Sequence, residues 1–275
     1  MSTAVRPGPA PASSANASRH PGARLWEVDV VRTLAIALMV VYHVAYDVHM
    51  LAPQVALDPF GGAWRALQVT CGSTFLALVG TSYWIAHQRG RARGLSGVAL
   101  WRRHARRGLE VLAAAALVSL VTLLALGAED AVRFGILHLI ATAVLVVLPL
   151  TVRLGAWNAV LGAGAIALGL VVKRMTSDVP GALVLGFDPG YAGVDWYPVL
   201  PWIGATLVGV AVGAVLYPDG ERGPWLRRAV RAPRGAVLAG APGRHSLPIY
   251  LVHQPLLITL TALVLALTGT DVAWR

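Results

Sequence analysis

Beyond residue 24 the chain alternates long apolar blocks with short polar connections. The apolar blocks run near 30–50, 67–87, 108–127, 134–152, 156–173, 197–217 and 246–268. Each has about the length of a helix crossing a bilayer core, roughly 20 residues at 1.5 Å apiece. Lipid offers unpaired backbone groups no partner, so blocks of this length predict helices and not open strands. The pattern predicts an all-α, polytopic membrane helix bundle of about seven transmembrane helices. The fifth block, AWNAVLGAGAIALGLVV, is rich in glycine and the least sharply bounded. Gly209 and Gly213 in the sixth form a G-x-x-x-G spacing suited to close helix contact. No internal repeat is visible, and seven spans do not divide into the inverted halves common in transporters. Residues 1–23 are rich in Pro, Ala, Ser and Gly and lack an apolar core. They predict a disordered cytoplasmic tail and not a cleaved signal peptide. Residues 24–275 then form a single transmembrane domain.

Composition agrees with this pattern and excludes alternatives. The 275 residues are 56% hydrophobic and 13% charged, with mean hydropathy +0.64. Soluble domains carry about 25% charged residues, so a soluble enzyme, a disordered chain and a fibrous repeat are all excluded. The net charge of +10 would suggest nucleic acid in a soluble protein. Here the basic residues sit in connections, and 18 of the 23 fall on the side of the N-terminus. That asymmetry is a topology signal, not a nucleic-acid footprint. It predicts a cytoplasmic N-terminus and an external C-terminus. Trp26, Trp84, Trp101, Trp196 and Trp225 lie near span ends, as an interfacial aromatic belt requires. The one cysteine, Cys71, excludes an internal disulfide and a cysteine metal cluster.

An ionisable group inside a span costs at least about 2.5–3.5 kcal/mol on insertion scales, so each marks a candidate site. The first span, WEVDVVRTLAIALMVVYHVAYDVHM, is the most loaded. At 100° per residue Asp29, Arg32 and His43 share one stripe, and Asp47 lies one turn past His43. The i, i+4 spacing allows Asp47 to orient His43 as a general base, or the pair simply to satisfy itself between helices. His138 in RFGILHLI and His253 in HSLPIYLVHQPLL fit either a site or a hydrogen bond between helices. Asp188 and Asp195, in GFDPGYAGVDWYPVLPWIG, suit an outer substrate-receiving loop or an ordinary turn capping the next helix. Arg102, Arg103, Arg106 and Arg107 cluster at helical spacing. They suit anionic lipid, topology, or the phosphates of a cofactor. There is no Walker A loop, no dinucleotide fingerprint, no H-E-x-x-H and no CxxC, which removes ATPase, dinucleotide and zinc-protease readings. No metal is expected.

Five segments together carry a resemblance. RLWEVDVVRTLAIALMVVYHVAYD, FLALVGTSY, RFGILHLIA, DWYPVLPWIGATLVG and GRHSLPIYLVHQPLL resemble, in order, the signature blocks of a bacterial membrane family. That family is the heparan-alpha-glucosaminide N-acetyltransferase-like group, within a wider transmembrane acyltransferase superfamily. The resemblance implies a multi-pass enzyme of the bacterial cytoplasmic membrane. It would take acetyl from cytoplasmic acetyl-CoA and pass it to a sugar, glycan or amino-sugar acceptor at the outer face. On the family's first-span pattern His43 inherits the catalytic histidine role, and Arg24, Asp29 and Arg32 the mouth residues. Arg102, Arg103 and Arg106 join them in holding the acyl-CoA, with His138, Asp195 and His253 towards the acceptor. One departure matters. The lysosomal animal enzyme carries its active histidine in the loop leading to the second span, and residues 51–86 here contain no histidine. The alternative from another class is a proton-coupled small-molecule transporter with a His/Asp relay.

Overall fold

The computed structural model describes residues 24–177, 179–229 and 233–273, so the expected tail at 1–23 lies outside the described residues. The chain is 76% helical and contains no strand among the described residues. Three long helices come first: α1 (Trp26–Leu51), α2 (Gly62–Ala92) and α3 (Gly97–Asp130). Then α4 (Ile136–Thr142) runs through a π turn (Ala143–Val147) into α5 (Leu148–Thr151) and a 3-10 turn (Val152–Trp157). Next come α6 (Asn158–Val172), the short α7 (Ala182–Leu185) and α8 (Val199–Leu216). Three short helices, α9 (Pro224–Ala229), α10 (Ala236–Ala239) and α11 (Ala241–Arg244), lead to the last span, α12 (Ser246–Leu267).

Among the described residues, six helical stretches are long and apolar enough to span a membrane, and the fourth, Ile136–Val172, has 37 residues. That stretch crosses twice. Gly135 lies beside Asp195 at one level, Gly155 beside Trp84 and Ala214 at the opposite level, and Gly169 back beside Pro201. The reversal is made at Gly155, whose φ of 54° and ψ of −123° only glycine adopts freely. The backbone carbonyls it frees are not left bare. Asn158, fully buried, donates its amide to Thr151 O at 2.9 Å and Gly155 O at 3.0 Å. The bundle therefore makes about seven crossings, and the chain is a multi-pass membrane protein. Its outward faces are apolar: Leu124 on α3 is 78% exposed, and Leu117, Leu120 and Leu150 also face outward. In a bilayer these side chains meet lipid.

The centre of the bundle is a seam between α2 and α8, which run in the same direction. A Cβ at Gly80 would overlap the Thr206 carbonyl, and one at Gly209 the Ala77 carbonyl. Gly213 leaves room for the Trp84 ring in the same way. The G-x-x-x-G spacing thus does place two backbones in contact. Close approach brings Thr81 Oγ1 to donate to Gly209 O at 2.8 Å. On the other side of α8, Gly162 and Gly204 let α6 approach antiparallel. Leu76, Leu139, Leu148 and Val210 fill the space around the seam with side chains of zero exposure.

At the basic end, the loop after α8 ties the bundle to α1. Arg222 grips Glu27 with both ends of its guanidinium, at 2.8 and 2.6 Å. Tyr217 donates to the same carboxylate at 3.1 Å, while its carbonyl accepts from Trp84 Nε1 at 2.9 Å.

The seam is testable. Gly209→Leu forces the α2 and α8 backbones apart and should cost about 1–3 kcal/mol. Gly164 has nothing within 4 Å of a built Cβ, so Gly164→Ala should be neutral or stabilising by up to about 1 kcal/mol. Thermal unfolding in detergent reads both, and equal effects of the two would show that the seam is not tightly packed.

Candidate active site

The intramembrane site lies between α1 and α12, the first and last spans, which run side by side in the same direction. Near their bases Gly243 N–H donates to Thr33 Oγ1 at 2.9 Å, and a Cβ at Gly243 would overlap the Asp29 carbonyl. Beyond their other ends Ala273 N–H donates to Leu51 O at 2.8 Å. This register sets His43 against His253, with ring centroids 4.7 Å apart and planes at 90°. It also sets Asp47, 1% exposed, against Gln254, whose Nε2 donates to Asp47 Oδ1 at 2.6 Å.

Each imidazole is fixed by its own helix. His43 Nδ1 lies 2.8 Å from Met39 O, and His253 Nδ1 meets Tyr250 O. A carbonyl only accepts, so in the neutral rings Nδ1 carries the proton and Nε2 keeps a lone pair. Here the structure corrects the sequence expectation that Asp47 orients His43. The i, i+4 spacing permits that pair, but the Met39 carbonyl holds the ring and Gln254 takes the carboxylate. Asp47 Oδ2, His253 Nε2 and Gln254 Oε1 are buried without a hydrogen-bond partner among the described residues.

Towards the outer end, His138 of α4 and Asp195 of the connection before α8 meet the start of α4. Asp195 Oδ2 accepts from Ile136 N–H at 3.2 Å and from Tyr250 Oη at 3.4 Å. His138 Nδ1 accepts from Gly135 N–H at 3.3 Å, which leaves its Nε2 to meet Ser119 Oγ at 3.5 Å. Both side chains satisfy orphan amides at a helix N-terminus. Asp188 likewise serves its own turn, accepting from Gly190 N–H at 2.8 Å. Tyr250 joins the two regions, because its hydroxyl reaches Asp195 while its carbonyl holds His253. Burial pushes the Asp195 carboxyl up to about 6, against the lowering effect of its two hydrogen bonds.

At the basic end a cavity of about 490 Å³ opens among the start of α1, the end of α2 and the start of α3. Arg24, Asp29, Arg32, Arg89, Arg93 and Arg103 line it, with Ser82 on its wall. Asp29 stands between Arg24 at 3.3 Å and Arg32 at 3.4 Å, and Arg32 also donates to Ser82 Oγ at 2.8 Å. Five guanidiniums line it, Arg89 among them pairing with Glu221 at 3.1 Å, and the cluster suits a polyphosphate or phosphorylated ligand. Of the arginines expected for that role, Arg24, Arg32 and Arg103 line this cavity. Arg102 and Arg106 do not, because they turn with Trp101 and Leu109 onto another face of α3. A residue next in sequence on a helix points about 100° away. Arg106 there pairs with Glu110 at 3.4 Å.

Ser82, Arg89, Arg93 and Gln254 belong to these sites and were not assigned from sequence. Gln254 carried a signal, since it adjoins His253 before a helix-breaking Pro255, but an uncharged amide inside a span is easily passed over. Among the described residues, no group of three or more His, Cys, Asp or Glu side chains is placed to hold a metal ion.

A basic-mouthed cavity at one end of a helical bundle and a buried His/His/Asp/Gln cluster further along define a polytopic membrane protein with an intramembrane polar site. The profile of the heparan-alpha-glucosaminide N-acetyltransferase catalytic domain matches residues 24–255. The chain belongs to that family, and the match supports a membrane acetyltransferase. No curated protein and no solved structure matches it.

Asp195 gives a pH test. Its folded-state value stands above its ordinary 3.8, at about 6. Its contribution to stability is therefore present below about pH 4 and lost as the pH rises through about 6. Asp195→Asn should remove this decline between pH 4 and 6, read as thermal unfolding in detergent. An unchanged profile would place the titrating group elsewhere.

Proposed function

We propose that the protein transfers an acetyl group from cytoplasmic acetyl-CoA to a sugar or glycan acceptor at the outer side of a bacterial cytoplasmic membrane. The observation carrying this reading is the alignment of two sites along α1. The arginine cavity lies at its base, and His43 lies 11 residues, about 17 Å, beyond Arg32. The excess of basic residues on the cavity's side supports a cytoplasmic opening.

Arg24, Arg32, Arg89, Arg93 and Arg103 would hold the phosphates of the acyl donor, Asp29 and Ser82 keeping Arg32 in place. The pantetheine arm would run along α1 to bring the thioester to His43. With Nδ1 held on the Met39 carbonyl, His43 Nε2 takes the proton of the acceptor hydroxyl or amine as that group attacks the thioester carbonyl. The carbon–sulfur bond then breaks, and the leaving thiolate takes the proton back from His43 Nε2 and departs as the CoA thiol. His253 lines the acceptor's space, while His138 and Asp195 act indirectly, by holding the start of α4 at the outer mouth.

General-base assistance is worth about 10²–10⁴-fold. His43→Ala should reduce acetyl transfer by that factor while acetyl-CoA binding stays intact. Arg93→Ala with Arg103→Ala should raise the KM for acetyl-CoA at least about tenfold and leave kcat within about twofold, because phosphate contacts bind ground and transition states alike. Detergent-solubilised protein with labelled acetyl-CoA measures both. Wild-type turnover in His43→Ala would sink the assignment. Proton-coupled solute uptake by proteoliposomes without thiol release would favour the relay alternative.

A further inference from the structure

A further group of charged residues lies apart from both sites, on the outward face of α3 at the basic end. A cavity of about 560 Å³ opens there, lined by Trp101, Arg102, Ala105, Arg106, Leu109 and Glu110. Ala105 is buried at its floor, while Trp101 and Leu109 stand 50% and 56% exposed beside it. Glu110 serves two guanidiniums, those of Arg106 at 3.4 Å and Arg107 at 3.1 Å. Arg102 is exposed and pairs with none of the described residues. Three cations thus share one carboxylate, and a surplus of positive charge is left over.

The apolar part of this face continues along the helix. Leu109, Leu112, Ala116, Leu120 and Leu123 follow at steps of three and four residues, which places them in one row. All five are exposed. The row is about 21 Å long, more than the depth of one leaflet in a core of about 30 Å. Arg106 stands about 4.5 Å from the start of the row, on the side of the basic end.

We infer that this face of α3 is a docking site for an anionic phospholipid of the leaflet at the basic end. The phosphate meets Arg102 and Arg106, the glycerol region lies against Trp101, and an acyl chain runs down the row from Leu109. The site is separate from the arginine cavity and stands whatever reaction the protein carries out.

Charge and shape together select this occupant. Guanidiniums pair with phosphate through two parallel hydrogen bonds, and basic clusters at a span end attract anionic headgroups. A zwitterionic headgroup brings its own cation against the surplus of arginine. A free phosphate would use the arginines and leave the apolar row without a role. Other basic positions at this end lack the combination. On α9, Trp225, Arg227 and Arg228 sit on a helix of six residues, too short to seat a chain. The turn at Val152–Trp157 holds one arginine, Arg153.

The test uses the full-length protein, stripped of lipid in detergent, with phosphatidylglycerol and phosphatidylcholine of identical chains as probes. Native mass spectrometry reads the lipid bound as each is titrated. The wild type should bind its first phosphatidylglycerol roughly tenfold or more tightly than phosphatidylcholine, since each arginine near an anionic headgroup is worth about fivefold. Arg102→Gln with Arg106→Gln should reduce that preference to about one and leave phosphatidylcholine binding unchanged. Arg227→Gln with Arg228→Gln should keep the preference within about twofold of wild type. Glycerol 3-phosphate in tenfold excess should leave the bound phosphatidylglycerol in place. Thermal unfolding without lipid establishes that each variant is folded. Should the α3 double variant fail to fold, Arg102→Gln alone carries the comparison, with an expected loss of about fivefold. Equal binding of the two lipids by the wild type overturns the inference, as does a preference that survives the α3 substitutions or falls equally in the α9 variant. Displacement by glycerol 3-phosphate overturns it too, because the arginines would then take any phosphate.

Discussion

Inside hydrocarbon a polar atom can bond only to the protein, and the arrangement of this bundle follows from that constraint. Several interruptions of helices are met by nearby side chains. Asn158 covers the carbonyls freed by the reversal at Gly155, and Asp195 and His138 cover the amides at the start of α4. Thr81 answers a carbonyl on α8, and Trp84 the carbonyl of Tyr217 at the end of that helix. Unpaired buried atoms remain on Asp47, His253 and Gln254 between α1 and α12, and also on Asn158, Thr206 and His104 elsewhere in the bundle.

The bundle has a close-packed back and a more open front. Glycines let α2, α6 and α8 approach until backbones touch, giving the seam little freedom to shift. Against that back, α1 and α12 meet through polar residues, and hydrogen bonds from Gly243, just before α12, and Ala273, after it, tie the two ends of α1. Glu27, Arg222 and Tyr217 fasten the base of α1 to the loop after α8. The arginine cavity beside that fastening thus has a fixed floor.

The spans were legible because bilayer thickness imposes a length that any apolar block must meet. Their ends were not, since α2 continues to Ala92 and α3 begins at Gly97, well outside the apolar blocks. Apolar pattern reports contact with lipid, and a helix that enters the headgroup region goes on with polar residues. The loading of α1 with Asp29, Arg32, His43 and Asp47 was equally legible, because it lies on one helix with a known repeat. Their partners were not. Spacing along α1 cannot say whether Asp47 turns to His43 or to a glutamine more than 200 residues away, and the geometry chose the glutamine. The same limit separates Arg103 from Arg102, adjacent residues of which only the former turns towards the cavity.

The two halves of the candidate site lie more than 200 residues apart in the chain, on α1 and α12. A nascent protein that has inserted six crossings holds His43 and Asp47 with nothing opposite them. Only when α12 enters does the site exist, and at that moment the exposed histidine and carboxyl of α1 are covered. A chain interrupted before α12 thus holds this ionisable pair without the partners that α12 brings. A membrane quality-control protease has a chemically conspicuous mark to read in such a chain.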